Sequence, residues 1–100
     1  MSTNTRFVWV ENKSNKFIKF SLAYSENSDA KIQSTDPIPF YCSKKLYIPD
    51  DSKSVDVTVY FLENGLEWVE IFTKTFKDVG DIGLDVMGPN TSPLYKVKDL

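Results

Sequence analysis

The stretch Val55-Asp56-Val57-Thr58-Val59-Tyr60-Phe61-Leu62-Glu63-Asn64-Gly65-Leu66-Glu67-Trp68-Val69-Glu70-Ile71-Phe72-Thr73-Lys74-Thr75-Phe76 decides the fold. From Val55 to Phe61 an apolar residue falls on every second position, the period at which a strand buries one face and wets the other. Asn64-Gly65 then supplies two adjacent residues that tolerate positive φ, the usual chemistry of a tight hairpin turn. Leu66 to Phe76, rich in branched and aromatic side chains, is the partner strand. The hairpin admits two registers. A two-residue loop sets Phe61 against Trp68, Val59 against Glu70 and Val57 against Phe72, which pulls Glu70 and Lys74 toward the core face. A three-residue loop with Gly65 as a bulge sets Leu62 against Leu66, Val59 against Val69, Val57 against Ile71 and Val55 against Thr73. This second register is favoured, because it keeps Asp56, Glu70 and Lys74 in water and a buried unpaired carboxylate is costly. It places Tyr60 opposite Trp68 on the outer face, with Phe72 further along and Glu70 between. Such a row of aromatics can stack on a sugar, grip a lipid headgroup or anchor a protein partner.

Outward from the hairpin, the chain reads as short strands separated by turn signals. Arg6 to Glu11 is a first strand carrying Trp9, whose face its own strand does not settle. Phe17 to Tyr24 is a second, with Ile18, Phe20, Leu22 and Tyr24 on one side and Lys19 and Ser21 on the other. Ser25 to Asp36 is polar, with room for one helical turn at Ser28 to Gln33. Pro37 and Pro39 bracket Ile38, which makes that piece an edge strand or an irregular crossing. Lys45 to Ile48, Ile82 to Met87 and Leu94 to Val97 complete the set. Six to seven strands without a sizeable helix predict an all-β antiparallel two-sheet sandwich, a single domain over residues 1–100 with residues 1–5 flexible. A small open barrel is the alternative. The run Phe-Val-Trp-Val-Glu-Asn-Lys-Ser at residues 7–14, followed by Phe-Ile-Lys-Phe-Ser-Leu-Ala-Tyr at 17–24, resembles the first two strands of small β-sandwich cytolysins such as the aegerolysins. The likeness is confined to those strands, and no site residue is carried over from it.

Composition narrows the function. The 100 residues carry a formal charge of −2 and 14% aromatics. This balance argues against nucleic acid, whose binders cluster Lys and Arg for counterion release. The sole adjacent basic pair, Lys44-Lys45, reads as a solvated loop. No apolar run approaches the ~20 residues of a membrane-spanning helix. The N-terminus lacks a leader-like layout, so a cytoplasmic address is expected, with unconventional release left open. Two sequons, at Asn12 and Asn90, then read as chance.

There is no histidine, which removes Ser-His-Asp and Cys-His arrangements and every histidine zinc site. Cys42 is the only cysteine; its Phe-Tyr-Cys-Ser setting reads as a semi-buried structural thiol. Glu63, Glu67 and Glu70 lie near one hairpin, but a small sandwich offers little depth for tuning a carboxylate pair. Asp50 with Asp51, and Asp78, Asp81 and Asp85, are weak calcium candidates that do not fit the alternating loop of a dedicated site. The expected function is therefore non-catalytic and cofactor-free. It is recognition of a glycan, lipid headgroup or protein surface through Trp68, Tyr60, Phe72, Glu70 and Trp9, lectin-, adhesin- or cytolysin-like. A structural or inhibitory protein working by protein–protein association, with homo-oligomers allowed, is the alternative.

Overall fold

The computed structural model describes residues 5–26, 28–49, 52, 54–77, 80–88 and 90–98. Residues 1–4, part of the segment expected to be flexible, lie outside this set, as do Asp50, Asp51 and Asp78. Eight strands form among the described residues: β1 (Thr5–Asn12), β2 (Ile18–Glu26), β3 (Asp29–Ser34), β4 (Ser43–Pro49), β5 (Ser54–Glu63), β6 (Glu67–Lys77), β7 (Ile82–Val86) and β8 (Tyr95–Val97). They make two four-stranded sheets, β4-β1-β7-β8 and β3-β2-β5-β6. Every pairing is antiparallel except β1 with β7. The all-β sandwich expected from the sequence is the observed architecture.

The core is what period two dictates. Val8 and Val10 of β1, Ile18, Phe20 and Leu22 of β2, Val55, Val57, Val59 and Phe61 of β5, and Ile82, Leu84 and Val86 of β7 fill the space between the sheets. Ile38 joins them through an isolated bridge to Ile18, so the proline-bracketed piece is an irregular crossing that still contributes to the core. Arg6 is buried near the opposite end and donates from Nη2 to the Ser52 carbonyl, while the Ser52 hydroxyl donates to Ser25 O.

β3 corrects the sequence reading. Asp29–Ser34 is a strand, not a helical turn, and it is largely exposed. It buries no apolar row, so its alternation carries no hydrophobic signal. Its hold is the backbone ladder to β2, plus Gln33, which donates to Tyr24 Oη and to the Tyr47 carbonyl and so ties β3 to β4 across the sandwich. The strand expected from Lys45 to Ile48 is β4, and it starts earlier, at Ser43, so that the Lys44-Lys45 pair lies on a strand and not in a loop.

The β5–β6 hairpin follows neither anticipated register. Its loop is three residues, 64–66, with Asn64 at φ 52° and Gly65 at φ 68°, and Glu63 faces Glu67. Leu62 therefore faces Trp68, Phe61 faces Val69 and Tyr60 faces Glu70. Between Tyr60 and Val59 the register slips by one, with Ile71 as the extra residue, and beyond it Val59 faces Phe72, Val57 faces Lys74 and Val55 faces Phe76. The bulge has a clear physical cause. Strict alternation from Trp68 would bury Thr73 and Thr75 and expose Phe72 and Phe76. One extra residue reverses that choice.

Candidate functional site

The outer face of β2, β5 and β6 gathers Lys19, Tyr60, Leu62, Trp68 and Glu70. Pairing sets Lys19 beside Tyr60, Tyr60 beside Glu70, and Leu62 beside Trp68. Lys19 Nζ lies 4.7 Å from the Trp68 ring centroid and 5.6 Å from that of Tyr60. Among the described residues no ion pair joins Lys19 to a carboxylate; the rings are its partners. Farther along the same face runs a row of hydroxyls. Thr73 Oγ1 is 3.1 Å from Thr58 Oγ1 and donates to Glu70 Oε2, and Thr75 donates to Asp56. Trp68 and Tyr60 thus share the outer face, although they do not pair directly, and both are half-buried.

Phe72 does not belong with them. The bulge turns it inward, where its ring stacks on Tyr95 of β8 at 4.1 Å between centroids. Lys74 is likewise on the inner side, at the sheet edge, with Nζ 5.6 Å from the Phe76 ring. Trp9 lies on the outer face of the other sheet, across the sandwich from Trp68, among Lys45, Lys98 and the neighbouring Phe7–Tyr47 pair. The five residues expected to form one site therefore divide into Trp68, Tyr60 and Glu70 on one face, Trp9 on the opposite face, and Phe72 in between.

Around Trp9 the charges are partly paired: Lys45 lies over the Phe7 and Trp9 rings with no ion pair among the described residues, while Lys98 and Lys13 are matched. Lys98 bonds Glu11 Oε1 at 2.9 Å and Asp85 Oδ1 at 2.6 Å, and Lys13 lies 3.5 Å from Asp85 Oδ2. Burial pulls the Lys98 ammonium down, but the bonds and charges of Asp85 and Glu11 outweigh it and raise the group above its ordinary 10.5. Asp81 accepts a hydrogen bond from the Phe7 amide at 3.0 Å. Asp81 and Asp85 thus serve different neighbours, and among the described residues no cluster of three or more His, Cys, Asp or Glu forms a metal site.

One end of the sandwich carries a feature that the sequence reading missed. The 13–17 turn, the 37–42 crossing and the 64–66 hairpin tip all converge there, held by Leu62 N to Phe17 O, Ile38 N to Ile18 O, and Tyr41 N to Asn12 O. Phe17 is 38% exposed, Phe40 46%, Tyr41 78% and Leu66 88%, four of the seven large hydrophobics left exposed among the described residues. The Phe17 and Phe40 rings meet edge to face at 5.3 Å. The signal available in the sequence was position: Phe40 follows Pro39 and Leu66 follows Gly65, Tyr41 comes next after Phe40, and Phe17 stands at the very start of its alternating run.

Cys42 sits at this same end and is exposed, not a semi-buried thiol, because its aromatic neighbours face solvent and not the core. The end is anchored by Asn12, fully buried, whose Nδ2 donates to the carbonyls of Lys16, Ile38 and Pro39 while Oδ1 accepts from the amide and hydroxyl of Ser14.

The sequence matches no family model and none of the curated proteins. Its fold is shared with bacterial cytotoxins. Suilysin, the cytotoxin of Streptococcus suis, superposes with a TM-score of 0.62 at 14% identity, over 98% of this chain and 23% of that one. Listeriolysin O gives 0.65 at 11% identity, over 96% and 22%. A disulfide-locked mutant of intermedilysin, solved with human CD59, gives 0.65 at 14% identity, over 100% and 25%. The chain spans about a quarter of the length of these toxins. At the coarse level this is a cytolysin-like β-sandwich. The cytoplasmic address expected from the sequence is overturned by these neighbours, which are bacterial toxins, one of them in complex with a human protein, and point to an extracellular setting. Reading the first residues for a leader carries no weight for a chain that corresponds to only a quarter of such a toxin.

Proposed function

We propose that this chain is a non-catalytic module that attaches to the surface of a membrane by the end carrying Phe17, Phe40, Tyr41 and Leu66. The observation that carries the reading is the gathering of exposed apolar side chains on three loops at one end, while the core rows are buried. Each such side chain moved from water into an apolar boundary stabilises the bound state by up to about 1.5–3 kcal/mol, so four acting together give useful affinity. Tyr suits the role because its ring is apolar and its hydroxyl stays wet. Lys16, with Nζ 5.7 Å from the Phe61 ring, adds positive charge at the rim. The fold shared with cytotoxins supports the reading at the level of class. A second reading is docking onto a protein of the target surface, supported by the intermedilysin structure with human CD59.

Flotation with phosphatidylcholine vesicles, with and without cholesterol or phosphatidylserine, tests the proposal. The native chain is expected to float with vesicles of at least one composition, and Tyr41→Ser/Leu66→Ser is expected to stay in the heavy fraction with its β-spectrum unchanged. Failure of the native chain to float with any of them, or flotation unaffected by the double substitution, would remove the membrane reading.

A further inference from the structure

A separate feature lies on the flank of the sandwich, on the outer face of β2, β5 and β6. Lys19 is a cation with no carboxylate partner among the described residues, and its ammonium is held over two aromatic rings. Rings hold a cation by their quadrupole but accept none of its N–H bonds in the way an oxygen does, so the ammonium keeps donors for an incoming anion. The Trp9 face makes the contrast. There Lys98 also lies over a tryptophan, 4.4 Å from its centroid, but Glu11 and Asp85 already occupy its donors. Lys45 on that face is also held over two rings, those of Phe7 and Trp9, without an ion pair among the described residues, but its row across the strands, Lys45–Trp9–Gly83, holds no carboxylate, whereas the Lys19 row ends in Glu70.

The rest of the face specifies what kind of anion. Glu70 flanks Tyr60 on the side away from Lys19 and, among the described residues, accepts a side-chain hydrogen bond only from the Thr73 hydroxyl. It has acceptor capacity for further hydroxyl donors. Trp68 and Tyr60 offer aromatic surface on which the C–H face of a pyranose can stack. Lys19, Tyr60 and Glu70 therefore present, in one row across three strands, a positive donor, an aromatic floor and a negative acceptor. A phosphate alone uses the first of these and is repelled by the third. A sugar bearing a carboxylate uses all three: its carboxylate meets Lys19, its ring stacks, and its hydroxyls donate to Glu70.

From this row we infer that the Lys19–Tyr60–Trp68–Glu70 face is a binding site for an acidic sugar residue, a sialic or uronic acid at the terminus of a glycan. The site is independent of the apolar end. It stands on the flank, with Trp68 two residues from Leu66 and hence about 7 Å along the strand from the hairpin tip.

The test uses the full chain and the two tryptophans it contains. Tryptophan fluorescence and immobilised-sugar retention are followed with sialyllactose, a glucuronate-terminated oligosaccharide, lactose, and phosphatidylserine vesicles as probes. At least one of the two acidic sugars is expected to bind more tightly than lactose by about tenfold or more, the gain of a charge-assisted contact. Lys19→Met is expected to erase that difference, Lys19→Arg to keep most of it, and Glu70→Gln to weaken both sugars. The fold is monitored by the far-ultraviolet spectrum; Lys19 lies on the outer face, and Lys19→Arg controls for any loss of folding in Lys19→Met. Equal binding of lactose and both acidic sugars, no binding of either acid, or retention of the preference in Lys19→Met overturns the proposal. So does binding of phosphatidylserine vesicles that is lost in Lys19→Met while sugars go unbound, which would make the anion a lipid phosphate. Tyr41→Ser/Leu66→Ser is expected to leave sugar binding intact, so failure of the membrane proposal and failure of this one are read separately.

Discussion

A single buried amide organises the apolar end. Asn12 has no exposed surface, and its five hydrogen bonds tie the β1–β2 turn to the crossing at Ile38 and Pro39. Asn12→Ala takes one donor from each of the Lys16, Ile38 and Pro39 carbonyls, which keep Ser14 Oγ, Ile18 N and Cys42 N, and leaves the Ser14 amide without its acceptor; Asn12→Asp sets a carboxylate against the three carbonyls. Each is expected to cost about 3 kcal/mol in urea unfolding, from the penalty of unsatisfied buried groups; a loss under about 1 kcal/mol would show that the knot is not structural. The same burial removes Asn12 as a glycan acceptor in the folded state, whereas Asn90 is exposed. Sequence reading saw both as sequons and could not separate them, because local spacing does not report that one amide is spent on distant backbone. The exposure of Cys42 is hidden in the sequence for a related reason: aromatic neighbours point to core, and here they form the exposed end.

The elements were legible in proportion to their apolar alternation. β1, β2 and β5 bury Val, Ile, Phe and Leu at every second position, and their existence follows directly from that pattern. β3 has no such pattern and is held by backbone and Gln33, so its sequence admits a helical turn as readily as a strand. The β6 register was hidden because Thr, Lys and Phe alternate in a way that one bulge can re-sort. Deleting Ile71 should expose that dependence. It removes the extra residue and lets Glu70 and Phe72 follow one another opposite Tyr60 and Val59, so Phe72 and Phe76 stay inward on a regular ladder, and it is expected to cost less than about 3 kcal/mol, the loss of one partly buried Ile. Deleting Thr73 instead keeps the bulge but turns Thr75 inward and Phe76 outward, and is expected to cost clearly more. Equal losses in the two variants would mean that the bulge does not set the faces. β8 depends instead on charge. Lys98 follows it directly and binds Glu11 of β1 and Asp85 of β7. Its raised pKa means that folding strengthens proton binding. The stabilisation is therefore complete below the ordinary value of 10.5 and lost as pH rises through the higher folded value. The melting temperature of the native chain should thus fall more steeply above about pH 10 than that of Lys98→Met, and parallel curves would contradict the linkage.

At the scale of the whole molecule, the sandwich separates its tasks by location. The core rows hold two sheets together, ion pairs of Lys98 and Lys13 tie strands together on the Trp9 face, the Lys19 face sets a cation without an ion pair in one row with Tyr60 and Glu70, and one end is left apolar. The two-sheet class was legible because six to seven short segments recur between turn signals with no sizeable helix among them. The end was not, because convergence of the 13–17, 37–42 and 64–66 loops is a property of topology and not of any one segment. That convergence also places the only cysteine of the chain, Cys42, beside Tyr41 at the surface proposed to meet a membrane. An environment-sensitive fluorophore such as NBD attached to Cys42 in the otherwise native chain therefore tests the central proposal most directly. On mixing with vesicles that the chain binds, its emission is expected to shift to the blue and rise in intensity, and both changes are expected to vanish in Tyr41→Ser/Leu66→Ser. An emission spectrum that stays at its aqueous position while the protein floats with those vesicles would place the contact elsewhere on the sandwich and contradict attachment by this end.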